Sequence, residues 1–375
     1  MIAEEFEKYD YNFFLSEALK RVPKGIDKRE GSIIYDAIAA VAYSNSEIAM
    51  NMRNVVLNAY TQTAVGEYLD YKAAERGTSR EKATFTRVLA EFTNQQGNPL
   101  EVNIGDRFSS IGATPIFYAV SKILSSGQAE LTAEIAGIAA NAVIGQLLPI
   151  TPFNNLGGAQ IIEVSVPARD SEDDETLRNR LLNTNQTVKF GGNVVDYADF
   201  TKAIEGVGAV QVYPTWQGGG TVRLVILNNE YSNPSQILID EAQEAIDPLD
   251  SQAGGYGIAP IGHVVTVAAP SVKQVNISVN IDTEGSVTVL DVIPEVEQAI
   301  EAYFLSRRHN WDKLIDERNY QIIIYRSQIM VEILKIHGIV NVSSITLNGA
   351  SDDIILQSDN TRQEVAMVGS VVVNE

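Results

Sequence analysis

One uninterrupted helical segment near the amino terminus constrains this fold more than any other feature of the sequence. Residues 32–60 contain neither proline nor glycine, and apolar side chains recur there at alternating spacings of four and three. This heptad pattern, sustained over about four repeats, predicts a helix roughly 42 Å long with an apolar stripe. Ser32 can cap its first turn. The stripe consists of Ile34, Ile38, Val41, Asn45, Ile48, Met52, Val55 and Ala59.

The polar member of this stripe, Asn45, fits two arrangements equally well. The helix can pack on its own domain, with Asn45 bonded locally. Alternatively, the stripe faces helices of other chains, and Asn45 selects their register. A shorter helix follows and ends at Gly77, a residue type favoured at helix ends. The next domain is predicted to be β, so it offers the stripe no companion helix.

The chain divides into four predicted regions. Residues 1–82 are the N-terminal helical region, and short β-rich runs broken by Gly, Pro and Asn predict an all-β domain over 83–166. An acidic helix, capped by Ser171, opens an α/β domain over 167–268, and a C-terminal α/β domain follows over 269–375. The predicted class is therefore α+β and multidomain: N-terminal long helices, a small all-β domain, then mixed α/β units in the C-terminal half.

Two internal repeats lie in the C-terminal half. Residues 221–246 align without a gap with residues 275–300, and each reads as a strand, a loop and a helix. Residues 199–212 resemble residues 327–342 in the same way, with a helix, then Gly206 or Gly338, then a strand. These repeats predict two similar α/β units.

Three stretches could carry chemistry. In YPTWQGGGTVRLVIL (213–227) strand composition lies on both sides of the glycines, which predicts a hairpin turn at Gly218–Gly220 and no phosphate loop. We expect Gly219→Ala to lower stability, not nucleotide affinity. The acidic cluster at 170–175 lacks the glycine and glutamate positions of a calcium loop. The basic-aromatic run 307–311 predicts a solvated helix end with a half-buried Trp311, in preference to a base-stacking surface.

Composition narrows the functional classes further. The chain has no cysteine and three widely separated histidines, so no catalytic, cofactor-binding or metal-ligating residue is predicted. The formal net charge is −20, and residues 171–375 carry 13 Lys/Arg against 28 Asp/Glu. Such a surface repels nucleic acid and anionic lipid, so neither is an expected partner. No run is long enough to span a membrane and no secretory signal begins the chain, so we expect a soluble protein made in a cytoplasm.

Several stretches, taken in order, resemble the baseplate protein J-like family of contractile phage tails and related injection particles. They begin with EGSIIYDAIAAVAYSNSEI and include RDSEDDETLRNRLL, FGGNVVDYADFTKAIEGVGAVQVYPTWQGGGTVRLVIL and YGIAPIGHVVTVAAPSVKQVNISVNI. The resemblance spans about residues 30–345. One departure is Pro167-Ala168-Arg169, where the family often has paired glycines.

The resemblance implies a structural component of the baseplate wedge, without catalytic residues or cofactors. The N-terminal helices would join a bundle with other wedge proteins near the sheath initiator, so the eight stripe residues would form a protein interface. The C-terminal regions would contact other copies of the chain and close a ring around the central hub. The protein would lie in the virion tail baseplate, assembled in the bacterial host cytoplasm, and would transmit the rearrangement that triggers sheath contraction. The alternative is a tail-associated receptor-binding or glycan-cleaving protein.

Overall fold

The computed structural model describes residues 2–183, 191–285, 287–315 and 319–374. The chain forms two compact units. Unit 1 comprises residues 1–82 and 171–188, and unit 2 comprises residues 83–170 and 189–375. The predicted α+β class is confirmed, because N-terminal helices are followed by a closed six-stranded barrel and then by two mixed α/β sheets.

Unit 1 is helical, and side-chain caps begin its two longer helices. Asp10 precedes α1 and its Oδ1 accepts from the Phe13 N–H (2.8 Å). Ser32 caps α2 as predicted, because its Oγ accepts from the Tyr35 N–H (3.3 Å). The unit contains a 3-10 helix (Ile2–Lys8), α1 (Tyr11–Arg21), α2 (Ile33–Asn58), α3 (Glu67–Ala74) and α4 (Asp174–Asn183).

Helix α4 belongs to unit 1, which corrects the predicted α/β domain that began at residue 167. Two of its three leucines, Leu177 and Leu181, lie one turn apart and are fully buried. They pack in one cluster with Ala64, Leu69 and Ala73 of the α3 region. A helix this short is stable only when its apolar face is covered, and here the N-terminal helices cover it.

The acidic residues at the start of α4 attach this helix to the rest of unit 1 through ion pairs. Arg80 donates from Nη2 to Asp174 Oδ1 (2.6 Å), and Arg180 pairs with Glu172 (2.7 Å). The predicted cap, Ser171, is wrong. Asp173 caps the helix instead, since its Oδ1 accepts from the Thr176 N–H (2.8 Å), whereas Ser171 Oγ donates to the Glu81 carbonyl (3.4 Å).

Unit 2 begins with the antiparallel barrel, in the strand order β1-β4-β3-β2-β5-β6. Large aromatic side chains fill it, and the rings of Phe92 and Phe108 lie 5.0 Å apart. Strand β5 was not predicted, yet it links β2 to β6 and thereby closes the barrel. The strands are β1 (Phe85–Asn94), β2 (Arg107–Ser110), β3 (Phe117–Ser125), β4 (Gln128–Ala136), β5 (Gly145–Pro149) and β6 (Leu156–Val166).

The first α/β sheet has the order β7-β8-β9. Strands β7 and β8 form the predicted antiparallel hairpin around Gly218–Gly220, and β9 lies parallel to β8. The run 264–268 is thus the third strand of this sheet. The elements are α5 (Val194–Lys202), β7 (Val207–Pro214), β8 (Thr221–Asn228), α6 (Gln236–Ile246) and β9 (Val264–Ala268).

The second sheet repeats this layout, in the order β12-β10-β14, with one antiparallel and one parallel neighbour beside the central strand. The repeats seen in the sequence therefore match β8-α6 with β10-α7, and α5-β7 with α8-β12, although the chain visits them in a different order. The elements are β10 (Ser271–Thr283), α7 (Val289–Arg308), a small pair formed by β11 (Ile323–Ile324) and β13 (Ile354–Ile355), α8 (Arg326–Leu334), β12 (Ile339–Leu347) and β14 (Glu364–Asn374).

The two sheets share one core. Ala209, Tyr213, Val225 and Leu227 of the first sheet pack in one cluster with residues of the second. At its centre Trp311 is 1% exposed, so the predicted half-buried position is wrong. Its indole N–H donates to the Glu364 carbonyl (2.9 Å), and its own carbonyl accepts from Gln211 Nε2 (2.6 Å). Within the basic-aromatic run, Arg308 and Trp311 are buried at the end of α7, whereas His309 and Asn310 are exposed.

A buried ionic contact ties the barrel to the first sheet. Arg87 on β1 binds Glu241 of α6 (2.5 Å) and lies 3.3 Å from Glu130 of β4, which is 2% exposed. Ser165 Oγ also donates to Glu130 (2.9 Å). The hydrogen bond from Arg87 holds the pKa of the Glu241 carboxyl below its usual range, against the opposing effect of burial. Glu130 thus keeps two hydrogen-bond donors in a site where an unpaired charge is costly.

The hairpin turn yields a first prediction, which replaces the expected effect of Gly219→Ala. Gly219 has open space around it, whereas Gly220 has φ +80° and an added Cβ would lie 3.1 Å from the Gly262 carbonyl oxygen. Gly220→Ala should therefore lower the unfolding free energy by about 1 kcal/mol, and Gly219→Ala by less than about 0.5 kcal/mol. Urea denaturation followed by tryptophan fluorescence measures both. Equal losses in the two variants would contradict this assignment.

The attachment of α4 yields a prediction for pH. The Gly66 N–H (2.9 Å) and Arg80 hold the pKa of Asp174 below its usual range. Because the folded pKa is depressed, the stabilisation is complete above the unfolded pKa of about 3.9 and is lost as pH falls through the folded value. Asp174→Asn should lower the melting temperature of unit 1 at pH 7 and have little effect near pH 2. The exposed control Asp352→Asn should change it at neither pH.

Candidate protein-interaction surface on the N-terminal helices

Helix α2 has an inner face with two buried alanines at its centre. Tyr35, Ala42, Ala49 and Val56 recur every seven positions, and Ala42 and Ala49 are 2% and 6% exposed. Small side chains at this spacing allow neighbouring helices to approach closely. Sequence reasoning missed this row because it followed only the larger apolar residues; the signal was the pair of alanines one heptad apart.

The 3-10 helix and α1, which precede α2 in the same N-terminal region, cover this inner face. Their aromatic residues contact one another edge to face, with centroid distances of 5.1 Å for Tyr9 and Phe13 and 5.5 Å for Phe13 and Phe14. Arg53 of α2 pairs with Glu7 (2.6 Å). These contacts bury one side of α2.

The predicted stripe lies beside this inner face and is covered only in part. Ile34, Ile38 and Asn45 are half-buried, whereas Ala59 is exposed just beyond the last helical residue, as the C-cap. Four large apolar members remain at least half exposed: Val41 (60%), Ile48 (51%), Met52 (53%) and Val55 (69%). The structure therefore gathers these four on a side of the helix that the covering elements leave open.

A groove of about 390 Å³ runs between α2 and the elements that cover it. Asn45, Ile48 and Met52 form one wall, and three aromatic side chains form the other. In the part of the chain that the structure describes, the Asn45 amide has no hydrogen-bond partner. The groove thus presents apolar walls with one free polar group. The aromatic wall consists of Phe6, Tyr9 and Phe14.

Few charges interrupt this surface. The 26 residues of α2 include three charged side chains, Asp36, Glu47 and Arg53, and Arg53 already pairs with Glu7. A contiguous apolar surface with few charges is typical of protein contact sites and not of a solvated helix. Chemically, the site can bury apolar side chains and bind one polar group.

The other candidate groups are dispersed. His263 Nδ1 lies 2.8 Å from the Tyr197 hydroxyl, whereas His309 stacks on Tyr231 with ring centroids 4.0 Å apart. Burial lowers the pKa of His309. Within the described ranges, no three His, Asp or Glu side chains are grouped in a way that could hold a metal ion. Nor does any helix of those ranges have the length and apolar character needed to cross a membrane.

Comparison with known proteins identifies the family. Residues 189–269 match the model of the baseplate J-like central domain, and residues 275–374 match that of the baseplate J-like protein C-terminal domain. The uncharacterized protein YqbT of Bacillus subtilis is 31% identical over 372 residues, which cover 99% of each chain. The chain belongs to the baseplate J-like protein family. As a member, it is a structural baseplate protein.

Further relatives of this baseplate J-like protein carry phage names. The phage-like element PBSX protein XkdT of Bacillus subtilis is 29% identical, with 99% of each chain covered. Baseplate protein gp47 of Escherichia phage Mu is 26% identical over 70% of this chain and 77% of its own. A chain of the cryo-EM structure of the anti-feeding prophage baseplate aligns over 94% of this chain and 89% of that one, with 9% identity and a TM-score of 0.37.

Proposed function

We propose that this baseplate J-like protein is a wedge component of a contractile phage tail or a phage-derived injection particle. Its N-terminal helices join helices of other wedge proteins near the sheath initiator. Its C-terminal sheets contact other copies of the chain around the central hub. In this position it transmits the rearrangement that triggers sheath contraction. It lies in the tail baseplate of the particle and is assembled in the host cytoplasm.

The observation that carries this proposal is the open side of α2. Val41, Ile48, Met52 and Val55 are at least half exposed along a helix about 39 Å long. Full burial of each large apolar side chain is worth roughly 1.5–3 kcal/mol relative to exposure. Helices from partner chains would recover this free energy, and a polar group across the seam would pair with Asn45 and select the register. The eight residues of the predicted stripe therefore remain the proposed interface.

The alternative of a receptor-binding or glycan-cleaving protein has less support. Sugar-binding sites commonly use exposed aromatic platforms, and the two tryptophans do not offer one. Trp311 is buried, and Trp216 is half-buried with the Arg223 guanidinium 5.0 Å from its ring. The acidic balance of the chain also opposes contacts with nucleic acid or an anionic membrane.

The decisive test is the variant Ile48→Asp in the full-length chain. A carboxylate in the middle of the seam should reduce the amount of co-purified wedge protein at least tenfold, because a buried unpaired charge is strongly unfavourable. The variant should still fold, since Ile48 is 51% exposed in the isolated chain. Co-expression with the neighbouring tail proteins, followed by gel filtration, measures the assembly.

Asn54→Asp is the matched control for this test. It adds the same acid to the same helix, at an exposed position about 120° around the axis from Ile48. It should assemble like the wild type, and both variants should keep the wild-type melting temperature within a few degrees. Normal assembly of Ile48→Asp, or equal loss in both variants, would refute the proposed interface.

A further prediction concerns enzymatic activity. The purified chain should release no sugar from host cell-wall or capsule polysaccharide, because the grooves beside α2, beside Tyr303 and beside Glu101 each contain at most one carboxylate, whereas glycoside hydrolysis commonly uses two. Reducing-sugar release after extended incubation measures this. Turnover by the wild-type chain that disappears when one carboxylate is replaced would favour the glycan-cleaving alternative.

A further inference from the structure

The loop between α6 and β9, residues 247–263, presents large apolar side chains to solvent. Leu249 is 68% exposed, Tyr256 83% and Ile261 82%. Among the large apolar residues that the structure describes, Ile33 alone is more exposed than Tyr256 and Ile261. This loop belongs to unit 2, so it is separate in the chain from the surface on α2.

Hydrogen bonds hold both ends of the α6–β9 loop. Asp247 is 1% exposed, and its carboxylate accepts from the Ala253 N–H (3.0 Å) and from the Val265 N–H (2.8 Å). Further along, the Ala259 N–H donates to the Ile246 carbonyl (2.8 Å), which satisfies an acceptor at the end of α6. These hydrogen bonds give the loop a defined conformation.

Glycines set the positions of the exposed side chains. A Cβ on Gly257 would lie 2.4 Å from the Ile246 carbonyl oxygen, so the chain turns there only with glycine. Gly255 has φ +73°, and a Cβ on it would lie 2.6 Å from Ile261 Cγ1. The Ile261 side chain thus packs against Gly255, the residue that directly precedes Tyr256. A loop ordered in advance loses little conformational entropy when it binds.

The chain segment that contains this loop carries acidic side chains and no basic ones. Residues 224–272 contain no lysine or arginine. Acidic side chains occur before and within the loop, and Asp240, Glu244 and Asp250 lie outside the buried core. A partner surface with positive charge at its rim complements this pattern, whereas a second copy, with a formal net charge of −20, brings more negative charge.

We propose that the α6–β9 loop is a second docking site, which inserts Tyr256 and Ile261, flanked by Leu249, into an apolar pocket rimmed by Lys and Arg on a different protein. Tyrosine is enriched among the residues that dominate binding energy in protein interfaces. The inference depends on the proposed function only in locating that partner within the particle. An anionic bilayer is disfavoured by the same acidic rim.

The first test is site-specific photo-crosslinking in cells that assemble the particle. A photoreactive phenylalanine analogue replaces Tyr256, and in the control it replaces the exposed barrel residue Gln96. The expected result is one adduct from position 256 with another protein of the particle, at a peptide that contains Lys or Arg. An adduct between two copies of this chain, an adduct with lipid, or none above the control level would overturn the proposal.

The second test measures affinity for the crosslinked protein, purified together with the full-length chain. Tyr256→Ala should weaken binding about 30-fold, as at an interface hot spot, and higher salt should weaken wild-type binding by screening the rim charges. Gly257→Ala keeps all three apolar side chains but should also weaken binding by distorting the loop. The control Leu290→Ala removes another highly exposed apolar group (78%) and should change nothing.

These outcomes separate the two surfaces. A change of less than twofold for Tyr256→Ala, or an equal loss for Leu290→Ala, would overturn the docking site. Because Tyr256 is almost wholly exposed, its replacement should leave the melting temperature unchanged. Loss of assembly in Ile48→Asp together with unaltered binding in Tyr256→Ala would support the proposed function while rejecting this further inference.

Discussion

The need to cover both faces of the β7-β8-β9 sheet governs the arrangement of unit 2. Val210, Val212 and Leu224 point to one face and pack with α5 and α6, whereas Ala209, Val225 and Leu227 point to the other. Because this sheet carries buried apolar side chains on both sides, another layer of structure must cover each of its faces. The second sheet supplies one of these layers, through the shared core that contains Trp311. The barrel then attaches through Arg87 and Glu241.

Helix α2 illustrates the opposite situation. Its inner face is satisfied by α1 and the 3-10 helix, but its adjacent side, around Ile48 and Val55, has no cover within unit 1. The contrast with strand β8, which is largely buried on both faces, makes this exposure informative, because single exposed apolar residues are ordinary and a continuous stripe is not. A structural protein of a baseplate acts through contacts with its neighbours.

Much of the fold could be predicted from the sequence where local patterns are strong. The extent of α2, its Ser32 cap, the hairpin at Gly218–Gly220 and the repeated α/β layout all follow from periodicity, capping and turn chemistry. The missed elements depend on distant partners. Strand β5 is short and gains its role only by closing the barrel, and α4 joins unit 1 because Leu177 and Leu181 find their cover there. Ser171 was a plausible cap, but the cap lies two residues later, at Asp173, and the helix begins at Asp174.

The candidate surfaces, too, could be predicted from the sequence only in part. The spacing of apolar residues in α2 was sufficient to define a stripe, since helical geometry alone places residues three and four apart on one side. Only the tertiary structure decided which part of it stays open, because the exposure of Ile48 and the burial of Ala49 depend on where the 3-10 helix and α1 pack. Likewise, the sequence contained the glycines of the α6–β9 loop, but it did not show why glycine is required there. The folded backbone brings Gly255 against Ile261 and Gly257 against Ile246, where a Cβ would not fit. Local chemistry determines elements and turns, whereas the partner that each face acquires is a property of the folded chain.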